Sequence, residues 1–318
     1  MKHYYTYVNG NFLPRFYALH ASILRFQPNS ILWTLALDAE AEADLVAQKS
    51  NTIRLFTLRD LFQQEPSLEQ AQRERSLVEF YVTCSPACFH HVLKELPEDT
   101  CLTKLDTDCF FLSDPGPIHE LEKTANIAIT PHRFPESLRH LERVGKFNAG
   151  WVTIKNNGTG RECVEKWKNQ CLEWCHEKLG SKGFGDQKYI DEWPSLYPGV
   201  LSLQHPGVNA ALWNCGGMEI GLDRRGVTLN SHPIIFFHFS GLGAKASRVY
   251  EINWSQYGVK PSRLLLKHVY LPYLREVERV RKEMKRPIAW QDFRAAPAKN
   301  LSAWKILSRS LRGKYLYV

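Results

Sequence analysis

The sequence lacks any apolar run long enough to cross a membrane: its longest, at 233–239, is far shorter than the roughly 20 residues that a spanning helix needs. The first ten residues contain no central apolar stretch, so we predict no secretory signal and a cytoplasmic location. The sequence also has no internal repeats or low-complexity tracts, which excludes repeat proteins and disordered chains. Its 318 residues, 44% of them hydrophobic, suffice for one large core or two modest ones.

The cysteines lack the spacing of a structural zinc site. Cys84 and Cys88, like Cys171 and Cys175, are four residues apart, whereas structural zinc sites usually begin with C-x-x-C. The eight cysteines could in principle form four disulfides, but most stand in apolar or helical segments of a chain without a secretory signal. We therefore predict buried free thiols.

Acidic residues are fewer than basic ones, which gives a net charge of +8 and a pI near 9.0. This excess favours anionic partners, which include nucleic acid, nucleotide phosphates and acidic membrane faces. Much of it lies late in the chain, at 275–286 and 299–314. Because the sequence has no helix-turn-helix signature and no aromatic RNA-binding motif, we do not expect nucleic acid as a partner.

Short β-prone runs alternate with helical segments in the first 60 residues. The runs 4–8, 31–37 and 53–57 predict strands, and the segments 12–24 and 39–48 have the apolar spacing or composition of helices. This alternation predicts an α/β fold with parallel strands covered by helices. In such sheets ligands bind outside the carboxyl ends of the strands.

The rest of the chain continues the α/β pattern and then changes. We predict strands at 101–105, 127–130, 150–154 and 233–239, and helices at 67–82, 86–96 with Ser85 as N-cap, 161–179 and 186–193. After Pro261 the sequence becomes helical and basic. We therefore predict an α/β catalytic domain, 1–260, and a basic helical extension, 261–318, packed on the core.

The end of this extension has two interpretations. The run 299–317 can form a basic amphipathic helix with the apolar residues Trp304, Ile306, Leu307 and Leu311. Such a helix either makes peripheral contact with the inner face of the membrane or docks on the core.

Asp106 and Asp108 stand two residues apart where a buried apolar strand ends. Side chains at this spacing point to the same side, and two carboxylates so close repel each other. A divalent cation relieves the repulsion, and magnesium or manganese also bridges diphosphate oxygens well. His238, in an apolar strand, could join the two carboxylates around manganese. The alternatives are turn or capping aspartates and a core histidine.

Four segments resemble, in order, the motifs of one enzyme family. They are LDTDCFFLSDP at 105–115, KFNAGWVTIK at 146–155, GDQKYIDEW at 185–193 and FFHFSG at 236–241. Together they resemble glycosyltransferases of the nucleotide-diphospho-sugar transferase superfamily, and are distantly similar to retaining galactosyltransferases and glycogenin. Two residues depart from the pattern: Ala149 replaces the usual serine, and Lys245 is displaced by one position.

The resemblance implies a GT-A fold, which is Rossmann-like and has a mixed central sheet flanked by helices. It implies a hexosyltransferase that moves a sugar from a nucleotide diphosphate donor, by preference a UDP-sugar, to a hydroxyl of a glycan or glycoconjugate acceptor, with retention of anomeric configuration. The implied cofactor is a divalent metal, manganese by preference and magnesium as the alternative. Its implied ligands are Asp106, Asp108 and His238.

The resemblance also implies roles for individual residues. Asp186 is expected on the sugar hydroxyls and Gln187 at the reacting face. The other expected donor contacts are Tyr7, Asn9, Asp38, Asp106, Asn148, Gly241 and Lys245. The loop 205–214 carries three more candidates that could contact a donor or an acceptor sugar through amide hydrogen bonds or an aromatic face, with an ordered loop held by a buried tryptophan as the alternative: Asn209, Trp213 and Asn214. Core packing is the alternative for Tyr7, and helix capping is the alternative for Asp38 and Asp186.

Two other classes of function stay open. A nucleotidyltransferase or a sugar-nucleotide hydrolase could share the nucleotide site but would lack an acceptor cleft. A basic carbohydrate-binding or nucleic-acid-binding protein would have no catalytic role.

Overall fold

A computed structural model describes residues 1–178, 184–246, 248–284 and 315–318. Within these ranges no helix is both long and apolar enough to cross a membrane. All eight cysteines lie in these ranges, and each is a free thiol. Only Cys101 among them is partly exposed, as expected for thiols that pack in the core.

A seven-stranded sheet forms the centre of the molecule. The strands of the described chain are β1 (His3–Val8), β2 (Ile31–Ala36), β3 (Ile53–Thr57), β4 (Cys101–Leu105), β5 (Cys109–Phe111), β6 (Ile127–Pro131), β7 (Phe147–Lys155), β8 (Val200–Ser202), β9 (Ile220–Asp223), β10 (Gly226–Leu229), β11 (His232–Pro233), β12 (Phe236–His238), β13 (Gly243–Ala246), β14 (Val249–Glu251) and β15 (Tyr315–Tyr317). The central sheet has the order β3-β2-β1-β4-β7-β6-β8. Only β7 runs antiparallel to its neighbours, so the sheet is mixed, as predicted.

Helices cover both faces of this sheet. They are α1 (Leu13–Phe26), α2 (Ala39–Gln48), α3 (Leu58–Gln64), α4 (Ser67–Glu74), α5 (Leu77–Glu95), α6 (Gly116–Glu122), α7 (Gly158–Glu173), α8 (Trp193–Leu196), α9 (Leu212–Cys215), α10 (Arg263–Leu265) and α11 (Leu271–Glu283). One core packs α5 and α7 against the sheet, and a second core packs α1 and α2 against the opposite face. The buried runs that predicted strands therefore form the apolar middle layer.

Three predicted helix boundaries are wrong. The helix predicted at 161–179 is α7, which ends at Glu173 because the backbone of Trp174 is extended. Ser85, predicted as an N-cap, lies inside α5, because Ser76 and Glu79 form a capping box that starts this helix further upstream. The helix then continues through Pro86, whose missing N–H removes one helical hydrogen bond. The predicted helix 67–82 is divided, because the backbone of Arg75 is extended.

A two-stranded sheet joins β5 to β12, and it explains how distant motifs meet. In its antiparallel register, His238 lies opposite Cys109, and the N–H of Phe239 donates to the Asp108 carbonyl at 2.9 Å. The strand predicted at 233–239 is thus two strands, since β11 ends at Pro233 before β12 begins. The pairing places a histidine from late in the chain beside the aspartates that follow β4.

The C-terminal part packs on the core through α11, which contacts α1. A π-helical turn, Leu266–Tyr270, leads into α11, and the Tyr273 ring stacks on Phe239 at 3.9 Å. Tyr315–Tyr317, which we predicted to be helical, is instead β15, paired with β14. The other residues of the predicted amphipathic helix, 299–314, lie outside the described ranges.

Candidate active site

A cleft of about 640 Å³ opens at the carboxyl ends of β1, β4 and β6. The structure brings together there most residues that the sequence proposed for the site: Tyr7, Asn9, Asp106, Asp108, Asn148, Asp186, Gln187, Trp213, His238, Gly241 and Lys245. Asp38, Asn209 and Asn214 do not line this cleft. The position agrees with the rule that ligands bind beyond the carboxyl ends of parallel strands.

Carboxylate and imidazole groups converge at the end of β4. His238 Nε2 lies 3.1 Å from Asp108 Oδ1 and 3.7 Å from Asp106 Oδ2. Asp108, Cys109 and His238 also each offer a ligand atom within 4.8 Å of the others, so this corner could hold a metal ion. Cys109 is fully buried, its thiol contacts the Gly150 carbonyl, and it does not line the cleft.

The charges of this corner stabilise one another. Burial opposes ionisation of Asp108, but the charge of His238 and its hydrogen bond outweigh burial and lower the pKa of Asp108 to about 2. Burial likewise disfavours the imidazolium, yet Asp108 and Asp106 raise the pKa of His238 above its usual value. The imidazolium and the carboxylates therefore offset each other's charge in this buried corner.

Hydrogen bonds orient the His238 ring. Its Nδ1 lies 3.2 Å from the Asn209 side-chain oxygen, whose amide nitrogen donates to Asn148 Oδ1 at 3.0 Å. Because the Asn209 amide group donates to Asn148, its oxygen accepts from Nδ1–H, and Nε2 faces the two carboxylates. Asn209, predicted to contact a donor or acceptor sugar, instead bonds the ring nitrogen that points away from the carboxylates, which is the arrangement usual for metal-binding histidines.

Close packing around Gly150, in the KFNAGW segment, leaves no room for a side chain. A Cβ on Gly150 would lie 2.7 Å from His238 Nδ1 and 2.6 Å from Asn148 Oδ1. Neither neighbour can retreat easily, because both belong to the hydrogen-bonded group that orients the imidazole. A side chain at this position would displace the His238 ring.

Asp186 and Gln187 line the same cleft as Asp106, Asp108 and His238, the candidate metal site that we call the metal corner. Asp186 is buried and makes no side-chain capping bond to the 3₁₀ turn that follows it, so the capping alternative is not what the structure shows. Burial and the nearby Asp106 raise the pKa of Asp186, with Lys104 acting in the opposite direction. The Gln187 side chain donates to the Val144 carbonyl at 3.1 Å and approaches the Asn148 amide at 3.5 Å.

The loop around Asn209 contributes one side chain to the cleft. Trp213 lines it, and its ring meets His238 edge-to-face at 5.1 Å. Asn214 is buried beneath, where it accepts from the Ala211 N–H and donates to the carbonyls of His132 and Asn209. Asn214 therefore holds the loop, while Trp213 is the residue of the loop that borders the cleft.

One end of the cleft is formed by the loops after β1 and β2, where the resemblance implies nucleoside contacts, and we call it the nucleoside end. Asn9 caps the 3₁₀ turn after β1 by accepting from Phe12 N–H at 3.2 Å. Asp38 caps α2 through Ala41 N–H at 2.8 Å and also accepts from Gly10 N–H at 3.0 Å. Tyr7 is half-buried, and its ring lies 5.7 Å from Lys104 Nζ. The capping alternative for Asp38 is thus present in the structure.

Gly241 and Lys245 line the opposite rim. Gly241 has a positive φ of 74°, and a Cβ there would lie 3.2 Å from the Asn253 side chain. Lys245 forms an ion pair with Glu251 at 3.0 Å, so its charge is partly offset. Both residues line the cleft.

Sequence reasoning missed two buried cations in the cleft. Lys104 is almost fully buried in β4 and bonds Asp106 Oδ1 at 2.5 Å and the Ala149 carbonyl at 2.8 Å. Arg15, also buried, donates to the Leu242 carbonyl. The available signal was a basic residue within an apolar strand or helix, where an unpaired charge is costly.

Comparison with known proteins finds two of similar sequence. The chain is 31% identical to the Bacillus subtilis protein YfnF over 246 residues, which are 75% of this chain and 80% of YfnF. It belongs to the family of YfnF. A second Bacillus subtilis protein of similar sequence, YfnD, is 29% identical over 270 residues, 84% of each chain. Both relatives are described as uncharacterized, and no protein-family profile matches the chain.

A structural likeness identifies the fold of this YfnF-family chain. The galactosyltransferase LgtC, crystallised with donor and acceptor sugar analogs, superimposes with a TM-score of 0.52 at 13% identity, over 87% of this chain and 95% of LgtC. This likeness confirms the predicted GT-A fold. At such low identity it concerns the fold alone, and the chemistry depends on the residues of the cleft.

Proposed function

We propose that this protein is a glycosyltransferase that moves a sugar from a UDP-sugar to a hydroxyl of a glycan or glycoconjugate, with retention of anomeric configuration. The observation that carries the proposal is the convergence of Asp106, Asp108 and His238 in one cleft with Asp186 and Gln187, in a GT-A fold. LgtC, which takes donor and acceptor sugars, supports it by analogy.

The metal we propose is manganese, with magnesium as the alternative, bound by Asp106 Oδ2, Asp108 Oδ1 and His238 Nε2. Two carboxylate oxygens and one imidazole nitrogen suit manganese better than magnesium. Asp106 is a better third ligand than Cys109, because it lines the cleft and offers the hard oxygen that such ions prefer. Lys104 occupies only Oδ1 of Asp106, which leaves Oδ2 toward His238.

When bound, a metal ion there would act as a Lewis acid that offsets charge on the leaving diphosphate. The chain's own residues would hold the rest of the donor. Lys104 and Arg15 add buried positive charge beside the diphosphate position. Tyr7 and Asn9 would contact the nucleoside, and Asp186 the hydroxyls of the transferred sugar.

Retention is supported by the residues at the reacting face. Inversion requires a carboxylate that deprotonates the acceptor on the face opposite the leaving group. Asp191 and Glu192, which follow Gln187 closely, do not line the cleft. Of the carboxylates that line it outside the metal corner, Glu79 caps α5, Glu251 pairs with Lys245 and Glu177 is exposed, while Asp186 is the residue proposed above for the donor sugar. A neutral amide, Gln187, faces the cleft instead. In a retaining reaction the leaving diphosphate itself can accept the proton of the acceptor hydroxyl on the same face of the sugar.

Calorimetry with UDP, with and without Mn²⁺, tests the donor site. We expect binding that requires the metal, and failure to bind any nucleoside diphosphate would contradict the proposal. A sugar-nucleotide hydrolase would release free sugar at a rate independent of acceptor, and a nucleotidyltransferase would consume nucleoside triphosphate. Proton NMR of the first product formed from an α-linked donor tests retention, since a β-linked product would contradict it.

Location and membrane contact remain predictions. We propose a cytoplasmic enzyme whose basic C-terminal residues contact the anionic inner face of the membrane. The support is the sequence charge at 275–286 and 299–314. Sedimentation with vesicles containing anionic lipid tests this proposal, and equal sedimentation with neutral vesicles would contradict it.

A further inference from the structure

One side of the cleft is built from aromatic rings that the donor chemistry proposed above leaves largely unused. His132 stacks on Phe134 with ring centroids 4.7 Å apart and nearly parallel planes. Trp213 meets His132 edge-on at 5.7 Å and Tyr257 edge-on at 6.0 Å. We call His132, Phe134, Trp213 and Tyr257 the aromatic wall; all four line the cleft.

The strand order separates this wall from the nucleoside end. Asn9 follows β1, Asp106 follows β4, Asn148 lies at the start of β7, and His132 follows β6. These strands are consecutive neighbours in the sheet, so the wall lies three strand spacings, about 14 Å, from the nucleoside end. The proposed metal and sugar positions fall between the two.

The wall combines apolar faces with unsatisfied and accessible polar groups. Trp213 Nε1 is buried and has no hydrogen-bond partner in the part of the chain that the structure describes. His132 Nε2 lies 3.2 Å from the Asn148 amide nitrogen, so Nδ1 is left as the donor, and it too lacks a partner there. The amides of Asn253 and Gln256 border the same end of the cleft.

We propose that the aromatic wall is the acceptor subsite and that it binds a pyranose ring. A pyranose has a face of C–H groups and a rim of hydroxyls, which match flat partly exposed rings such as Phe134 and Tyr257 and the amide rim beside them. An acceptor hydroxyl is also the group that can meet Trp213 Nε1–H. This assignment rests on the proposed function, because it needs a donor at the metal corner.

Other occupants fit the wall less well. A nucleobase bound there would lie about three strand spacings from the loops after β1 and β2, on the far side of the metal corner. A purely apolar group would leave the donors of Trp213 and His132 unpaired, and a buried unpaired donor is costly. The mixed lining favours a sugar.

The test uses simple sugars as probes. Saturation-transfer NMR is recorded on the full chain with UDP and Mn²⁺ bound, against methyl α- and β-pyranosides of glucose, galactose, mannose and N-acetylglucosamine. We expect transfer from the C–H protons of one ring face. Phe134→Ala and Tyr257→Ala should each weaken binding about fivefold or more, because each removes one stacking surface.

Two further variants distinguish a specific loss of pyranoside binding from a loss caused by misfolding. Trp213→Phe keeps a buried aromatic ring but removes the indole N–H together with the second ring of the indole, so it should lower pyranoside binding while UDP still binds. Trp33→Phe is the matched control, because Trp33 lies in β2 outside the cleft and donates to His3 at 3.2 Å. It should leave pyranoside binding unchanged.

Three outcomes would overturn the assignment: no pyranoside binding by protein that binds UDP and Mn²⁺, binding that survives both alanine substitutions, or binding of phenol in place of any pyranoside. The UDP titration separates the two proposals. A chain that does not bind UDP refutes the proposed function, whereas a chain that binds UDP with an inert wall refutes only the acceptor subsite.

Discussion

The two ends of the cleft are built in different ways. At the nucleoside end, the side-chain oxygens of Asn9 and Asp38 are engaged by backbone N–H groups of the loop and helix that follow the strands. At the aromatic end, Trp213 and His132 each keep a buried nitrogen without a partner among the described residues. At the nucleoside end the polar side chains hydrogen-bond to the protein's own backbone. At the aromatic end two polar nitrogens could hydrogen-bond to a ligand.

This difference separates stability from binding. A capping side chain contributes to the fold whether or not a ligand is present. A buried donor without a partner costs about 1–3 kcal/mol until a ligand meets it. We therefore expect substitutions at the nucleoside end to lower stability more than affinity, and substitutions at the aromatic end to do the reverse. The metal corner between them should affect the whole site.

The largest effect is expected at that corner. Asp108→Asn removes a ligand charge and preserves the size of the side chain, so it should weaken Mn²⁺-dependent UDP binding by about 100-fold or more while the fold is kept. Calorimetry measures the affinity. Asp223→Asn, at an exposed hairpin aspartate, is the control and should bind as the unaltered chain does. Unchanged affinity in Asp108→Asn would remove the metal assignment.

A smaller effect is expected at the reacting face, between the corner and the aromatic end. Gln187→Ala should lower kcat about tenfold with little change in donor affinity, because the amide acts mainly on the transition state. Asp186→Ala should reduce both, since hydroxyl contacts to the donor sugar are lost. Steady-state kinetics and calorimetry separate the two parameters, with the exposed Gln204→Ala as control. A Gln187→Ala variant that lost only donor affinity would contradict the assigned role.

The motif segments at strand ends could be predicted from the sequence, because each combines an apolar run with polar residues that follow it. Asp106, Asp108 and the central strands are examples. The contact of His238 with Asp108 could not be predicted from local sequence patterns, since it depends on the antiparallel register of β5 and β12. The resemblance to a known family supplied that link.

Sequence reasoning proposed Trp213 as a site residue but missed the other three members of the aromatic wall, which come from separate segments. The aromatic wall takes His132 and Phe134 from the end of β6, Trp213 from a later loop, and Tyr257 from beyond β14. No local period connects them, so pattern analysis has nothing to detect. Lys104 was missed for another reason: inside a strand its neighbours predict burial, and only the structure places Asp106 beside its ammonium.

Gly150→Ala tests the connection between the metal corner and the hydrogen bonds that lead toward the aromatic end. The added methyl would meet His238 Nδ1 and Asn148 Oδ1, so the imidazole must shift away from its supported orientation. We expect Mn²⁺ affinity to fall about tenfold, as it does when support for a ligating histidine is lost. Gly158→Ala is the matched control, because a Cβ there meets no atom within 4 Å. Equal Mn²⁺ affinity in the two variants would contradict this account of Gly150.

The smallest effect is expected at Asp38, and it decides between a cap and a nucleobase contact. Asp38→Ala removes the bonds to Ala41 N–H and Gly10 N–H, so it should lower the free energy of unfolding by about 1 kcal/mol. Asp38→Asn keeps an oxygen for the cap and should lower it less. If Asp38 only caps, both variants bind UDP within about twofold of the unaltered chain, a change well below 1.4 kcal/mol. Denaturant unfolding and calorimetry give the two numbers. A tenfold loss of UDP affinity in Asp38→Asn with an unchanged free energy of unfolding would instead assign Asp38 to the uridine. The nucleoside end would then resemble the aromatic end, because one of its side chains would serve binding more than stability.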